Sequence, residues 1–226
     1  MISSTLSNEF PIEIARRCLF APPQTPEPYL VLALHGYGQT PEMLLPLARR
    51  LLGPDPAIGA LAAPYPMYDK LSPEGQTVYH WGTRHHWEET VRIHHAMVRR
   101  ALGDLRAETG IPPARTVLLG FSQPVGLNYR FAGTHPDEVR GVIGLCGGVP
   151  SRWEQEAHQP VTAALLHVAR SEDEFYPVAT VEKFPERLRH HACDVEFHLL
   201  PGGHRFPSQA GPLVEVWLRR IGLLPC

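Results

Sequence analysis

A chain of 226 residues, 43% hydrophobic and 19% charged, is long enough for one α/β domain with a sizeable core and leaves little room for a second. A formal net charge of −2 with no block of like charges excludes the electrostatic footprint of a nucleic-acid or anionic-membrane partner. No run is apolar and long enough to span a bilayer, and MISSTLSNEFPIEIARRC at the start lacks a basic region followed by an apolar one, so a soluble, cytoplasmic protein without membrane insertion is expected.

Runs of strand length alternate with longer segments of helical period, the mark of a mostly parallel sheet covered on both faces. PIEIARRCLFA reads as an edge strand and YLVLALHG as a buried one, followed by a glycine-containing loop and the helix PEMLLPLARRLL. IGALAAP is a further short strand. YPMYDKLSPEGQTVYHWGTRHHW then reads as a long irregular loop with a functional purpose. Helical spacing returns in EETVRIHHAMVRRALGDLRAETG, where Val91, His94, His95, Val98, Leu102 and Leu105 share a face and Gly110 with Pro112 closes the helix. After it come the strand RTVLLG, a helix from about Val125 to Ala132, and the strands GVIGLCG and VTAALLHVA. The helix PVATVEKFPERLRHH should be kinked or split at Pro185, and DVEFHLL and PLVEVWLRRIG are the last strand and helix.

Chemistry concentrates in four loops. In LLGFSQPVG, Ser122 directly follows a strand and precedes a helical segment, the setting of a nucleophile elbow, although Pro124 stands where GxSxG has its second glycine. In the first helical turn a proline's missing N–H costs nothing, but it disfavours helical angles at Gln123, whose N–H an oxyanion site would need. A serine capping an ordinary helix is the plain alternative. In LHGYGQT, Gly36 and Gly38 let the backbone curl so that the N–H of Tyr37 joins that of Gln123 as a second donor.

Of thirteen histidines, His204 in LLPGGHRFP is the favoured base, because a glycine-rich loop after the last strand brings it to the sheet's carboxyl edge. The adjacent pairs, His85 with His86, His94 with His95 and His190 with His191, point apart on a helix, and HExxH is absent, so no metal is expected. The carboxylate that orients the base should come from HVARSEDEFYP, where Asp173 is preferred and Glu172 and Glu174 stay open. The order Ser122, Asp173, His204 is the chain order of α/β-hydrolases. Cys146 in GLCGG is a rival nucleophile in principle, but no patterned helix follows it; the four cysteines lack CxxC spacing and read as mostly buried thiols.

GFSQPVG, LHGYG, SEDEFYP and GGHRFP together resemble the carboxylesterase, phospholipase and acyl-protein thioesterase family of compact α/β-hydrolases, over residues 29–221. That resemblance implies an α/β-hydrolase fold without a large cap domain. It maps Ser122, Asp173 and His204 to a catalytic triad and Tyr37 and Gln123 to the oxyanion donors. The family's tryptophan segment looks like HWGTRHHW here, so only Trp81 carries over, and Pro124 and Val125 replace the glycines of GFSQGG.

The expected activity is cofactor-free hydrolysis of a small-molecule carboxylic ester, or a thioester, through an acyl-enzyme. Trp81, Tyr65 and Phe206, with Met67, Tyr68 and Trp87, are expected to line an acyl or aryl pocket. A peptidase or lactone hydrolase on the same triad, and a ligand-binding homologue with a disabled elbow, are the alternatives. The sequence sets no oligomeric state.

Overall fold

The computed structural model describes residues 13–69, 75–151, 153 and 160–225. Residues 11–12 of the first expected strand, 70–74 of the long loop, and Cys226 lie outside the described residues. Nine strands and six α-helices follow in chain order among the described residues: β1 (Cys18–Ala21), β2 (Leu30–Leu34), α1 (Pro41–Leu52), β3 (Ala57–Leu61), β4 (Tyr65–Tyr68), β5 (Thr77–His80), α2 (Trp87–Thr109), β6 (Thr116–Phe121), α3 (Val125–Thr134), β7 (Gly141–Leu145), β8 (Ala164–Arg170), α4 (Val178–Val181), α5 (Phe184–Arg189), β9 (Val195–Leu200) and α6 (Gly211–Arg220).

Seven strands form one sheet in the order β1-β3-β2-β6-β7-β8-β9. Every neighbouring pair is parallel except β1 with β3 at the edge. Burial on both faces explains why the central strands read as unbroken apolar runs rather than alternating ones. Along β2, Leu30, Leu32 and Leu34 pack on one face with α2, α3 and α5, through Val98, Leu102, Leu127, Phe131 and Leu188. Val31 and Ala33 face the other way, onto Leu44 and Ala48 of α1 and Val214 and Trp217 of α6.

Local signals set the helix ends. Thr40 caps α1 by accepting from the Met43 N–H at 3.3 Å, and Gly110, in the left-handed region at φ 70°, closes α2 through its N–H to the Arg106 carbonyl. The helix expected around Pro185 is split into α4 and α5, with Pro185 in the first turn of α5 where its absent N–H is harmless.

The stretch read as an irregular loop is instead a hairpin. β4 and β5 pair antiparallel, Tyr65 opposite His80 and Tyr68 opposite Thr77, and the Tyr65 and His80 rings stack at 5.3 Å. Pro66 and the polar connection between the strands hide the alternation that announces a hairpin. Among the described residues no helix is long and apolar enough to cross a membrane.

Candidate active site

Parallel strands end at one edge of the sheet, and four of those ends carry the chemistry-bearing loops. Ser122 comes immediately after β6, the middle strand; Tyr37 lies just past β2, Asp173 past β8 and His204 past β9.

Ser122 has φ of +63°, a left-handed conformation that costs a non-glycine residue about 1–3 kcal/mol and persists only where its surroundings enforce it. They do so here. Its N–H donates to the Leu145 carbonyl at 2.8 Å and its own carbonyl accepts from Val125 N–H at 3.2 Å. Gly120 lets strand and helix close up, since a Cβ there would stand 2.8 Å from Asn128 Nδ2 and 3.3 Å from the Val125 backbone. Pro124 precedes α3 with φ −77° and ψ −7°, and its carbonyl accepts the Asn128 N–H at 2.9 Å. It therefore fits the helix start without losing a bond.

His204 Nε2 is 2.8 Å from Ser122 Oγ, and His204 Nδ1 is 2.8 Å from Asp173 Oδ2. The other Asp173 oxygen accepts the Phe175 and Tyr176 N–H groups at 2.9 and 3.0 Å, so this buried carboxylate is aimed by its own loop. With Asp173 accepting from Nδ1–H, the imidazole presents the Nε2 lone pair to the serine hydroxyl. Glu174 serves differently: its Oε2 accepts the His204 backbone N–H at 3.0 Å, and its own backbone N–H, then this bond, hold its carboxyl below the ordinary value. Glu172 is exposed and uses its backbone N–H on the Gly202 carbonyl at 3.0 Å. The imidazole is enclosed by rings, Phe121 stacked at 5.5 Å and Phe175 edge-on at 4.8 Å.

A cavity of about 610 Å³ opens over these groups, and Tyr37, Leu47, Phe121, Phe175, Tyr176 and Phe206 supply its apolar wall. Ser122, Gln123 and His204 also face it. Among the described residues, no protein acceptor takes the backbone N–H of Tyr37 or of Gln123.

Phe206 lies in the cavity wall, whereas Trp81, Tyr65, Met67, Tyr68 and Trp87, also expected there, are not among the residues that line it. Trp81 is wholly buried, with its indole Nε1 donating to the His35 carbonyl at 2.8 Å. Tyr65 is held in the hairpin against His80. Likewise Tyr68 is 75% exposed, and Trp87 lies under the Arg130 guanidinium at 5.8 Å. Pairing β4 with β5 accounts for Tyr65, whose ring it stacks on His80. Sequence reasoning missed Phe121 and Phe175, although each adjoins a chemistry-bearing loop residue, as Phe206 does two positions after His204. Cys146, the rival nucleophile, is buried with its thiol pushed up to about 12, chiefly by that burial, and donates to the Arg205 carbonyl at 3.4 Å; it is an inert thiol, not a thiolate.

This sheet order, with helices on both faces, no large cap among the described residues and a serine on a strained turn after the middle strand, defines an α/β-hydrolase. The profile of the phospholipase/carboxylesterase family matches residues 19–214, and the chain belongs to that family. Solved structures share the fold. Esterase PE8 is 24% identical, covers 92% of this chain and 100% of its own, and superposes with a TM-score of 0.73. The Bacillus cereus carboxylesterase is 16% identical over 91% of this chain and 94% of its own, with a TM-score of 0.71. SOBER1 of Arabidopsis thaliana is 19% identical over 85% of this chain and 98% of its own, with a TM-score of 0.67. No curated protein sequence matches the chain.

Proposed function

We propose that the protein is a serine carboxylesterase that cleaves small carboxylic esters, thioesters included, through an acyl-enzyme. The observation that carries this reading is the line from Ser122 Oγ through the His204 ring to Asp173 Oδ2, both of its hydrogen bonds 2.8 Å, opening onto an apolar cavity.

Ser122 attacks the ester carbonyl as His204 takes its proton, and the imidazolium that forms is stabilised and held in place by Asp173. The carbonyl oxygen, now an oxyanion, receives the unpaired N–H groups of Tyr37 and Gln123. His204 returns the proton to the leaving alcohol, and water repeats the sequence on the acyl-enzyme. The exposed rings of Tyr37 and Phe175, 59% and 70% accessible, frame the mouth that a small ester passes.

The test is labelling by a fluorophosphonate probe together with p-nitrophenyl acetate hydrolysis, for the native chain and for Ser122→Ala. The native chain should label and turn over, and the variant should do neither while keeping its fold. An unlabelled, inactive native chain would support a ligand-binding homologue instead.

A further inference from the structure

The hairpin and the residues after it stand outside the cavity, yet they reach both halves of the site. Tyr79 of β5 donates its N–H to the Gln39 carbonyl at 3.0 Å and accepts the Gly38 N–H at 2.9 Å, so β5 is zipped along the loop that carries Tyr37. Trp81 then makes two bonds in opposite directions. Its indole Nε1 donates to the His35 carbonyl at 2.8 Å, and its backbone N–H donates to Gln123 Oε1 at 2.8 Å. Gln123 completes the pairing by donating Nε2 to the Gly82 carbonyl at 2.8 Å. A primary amide offers an acceptor and a donor side by side, and here it spans the Trp81 N–H and the Gly82 carbonyl, the outward groups of two successive residues.

The far end is equally fixed. The His35 ring spans two backbone groups, with Nδ1 donating to the Gly36 carbonyl at 2.8 Å and Nε2 accepting the Ala63 N–H at 3.1 Å. No hydrogen bond among the described residues joins the β2 loop directly to the elbow after β6. The β2–β6 ladder ends at Leu34 opposite Gly120, and past that point the hydrogen-bonded link between the two loops runs through Trp81.

We propose that Trp81 and the side chain of Gln123 are positioning residues that form one brace, setting the separation and direction of the Tyr37 and Gln123 N–H groups. The proposal rests on the reading of those two groups as the oxyanion donors. Donors that come from the ends of two different strands have no covalent reason to converge on one oxygen. A displacement of a few tenths of an ångström weakens a bond made fully only in the transition state. The brace supplies convergence from a side chain wholly buried and packed edge-on against His94 at 5.4 Å. It also accounts for a tryptophan beside the site that has no surface in the cavity.

The experiment uses Gln123→Met, near in shape and unable to make either bond, Trp81→Phe, which removes the indole donor, and the double variant. Hydrolysis of p-nitrophenyl acetate and inhibition by a trifluoromethyl ketone, which becomes an oxyanion on the serine, are measured for each. Each single variant should lose about ten- to hundredfold in kcat, less than the hundred- to thousandfold for deleting a donor outright, with KM changed by less than about threefold. Affinity for the ketone should fall by the same factor as kcat. Because both changes cut one brace, the double variant should be no worse than the weaker single by more than about threefold. Circular dichroism checks the fold. Should Trp81→Phe fail to fold, Gln123→Met, at a partly exposed loop position, decides alone. A folded Gln123→Met with native kcat and native ketone affinity overturns the brace, as does a kcat loss that ketone affinity does not follow. Ser122→Ala separates the two readings: if it stays active, the hydrolase mechanism and the brace both fall, whereas an inactive Ser122→Ala beside an unimpaired Gln123→Met removes the brace only.

Discussion

Val125 occupies the space that Gly147 leaves open: a Cβ on residue 147 would stand 2.4 Å from Val125 Cβ and 2.5 Å from the Ser122 carbonyl. In the GFSQGG pattern that the chain resembles, position 125 is a glycine, and here the bulk on the elbow side is matched by a glycine across from it. Gly147→Ala should therefore push on the elbow itself. Overpacking of this kind costs about 1–3 kcal/mol. The expected result is a lower denaturation midpoint with an unchanged m-value, accompanied by a loss of ester turnover that conditions favouring the fold do not restore. Native turnover in a folded Gly147→Ala would mean that the elbow yields without consequence.

Pro124 sits at the start of α3 with compatible angles and no lost bond. Pro124→Gly should accordingly leave the elbow in place and change turnover on p-nitrophenyl acetate by less than about tenfold, against the hundred- to thousandfold of a lost donor. It should lower stability by about 0.4–1 kcal/mol, because the unfolded chain gains freedom. A hundredfold gain in turnover would identify the proline as an impediment.

The loop after β8 offers three acidic residues, and the geometry separates them. Asp173→Asn should cut turnover by about ten-thousandfold, as neutralising the corresponding aspartate does in another triad enzyme. Glu172→Gln should leave turnover near the native level. Glu174→Gln should cost little more, since an amide oxygen still accepts the His204 backbone N–H. Steady-state kinetics on the three variants test this ranking, and a more damaging Glu172→Gln would reverse it.

Burial holds three histidines neutral in the folded chain: desolvation lowers His35 to about 4 and His167 to about 3, and takes His94 well below its ordinary value of 6.5. Unfolded, each binds a proton near 6.5, so between about pH 6.5 and 4 the unfolded state holds more protons and stability falls as pH falls. Each contributes up to about 1.4 kcal/mol per pH unit in that window. Urea midpoints should be constant above about pH 7 and drop steeply from 6.5 to 5, above the range in which ordinary carboxylates titrate. A flat midpoint across that interval would show that the three rings accept protons without unfolding.

Ser122, Asp173 and His204 stand out in the sequence as candidates one at a time because each follows an apolar strand in a loop whose residue types are short-range signals. The glycine before Ser122, the acidic run before Tyr176 and the paired glycines before His204 depend on neighbours a few positions away. The split at Pro185 and the ends of α1 and α2 are local in the same sense, set by ring geometry and caps. The aromatics around the site were different. Trp81, Tyr65 and Phe206 are equally apolar on the page, yet Phe206 lines the cavity while Trp81 lies in the core and Tyr65 in the hairpin. The pairing of β4 with β5 places Tyr65, joining residues across a polar connection with little alternation to announce it, and the bonds to His35 and Gln123 place Trp81. What sets Asp173 apart from its acidic neighbours is tertiary: the Phe175 and Tyr176 N–H groups turn its carboxylate to the imidazole. Types and order are written in the chain because they obey nearest-neighbour sterics and hydrogen bonding; which way a side chain faces is decided by contacts between segments apart in the chain, as between Gln123 and Trp81 at a sequence separation of 42.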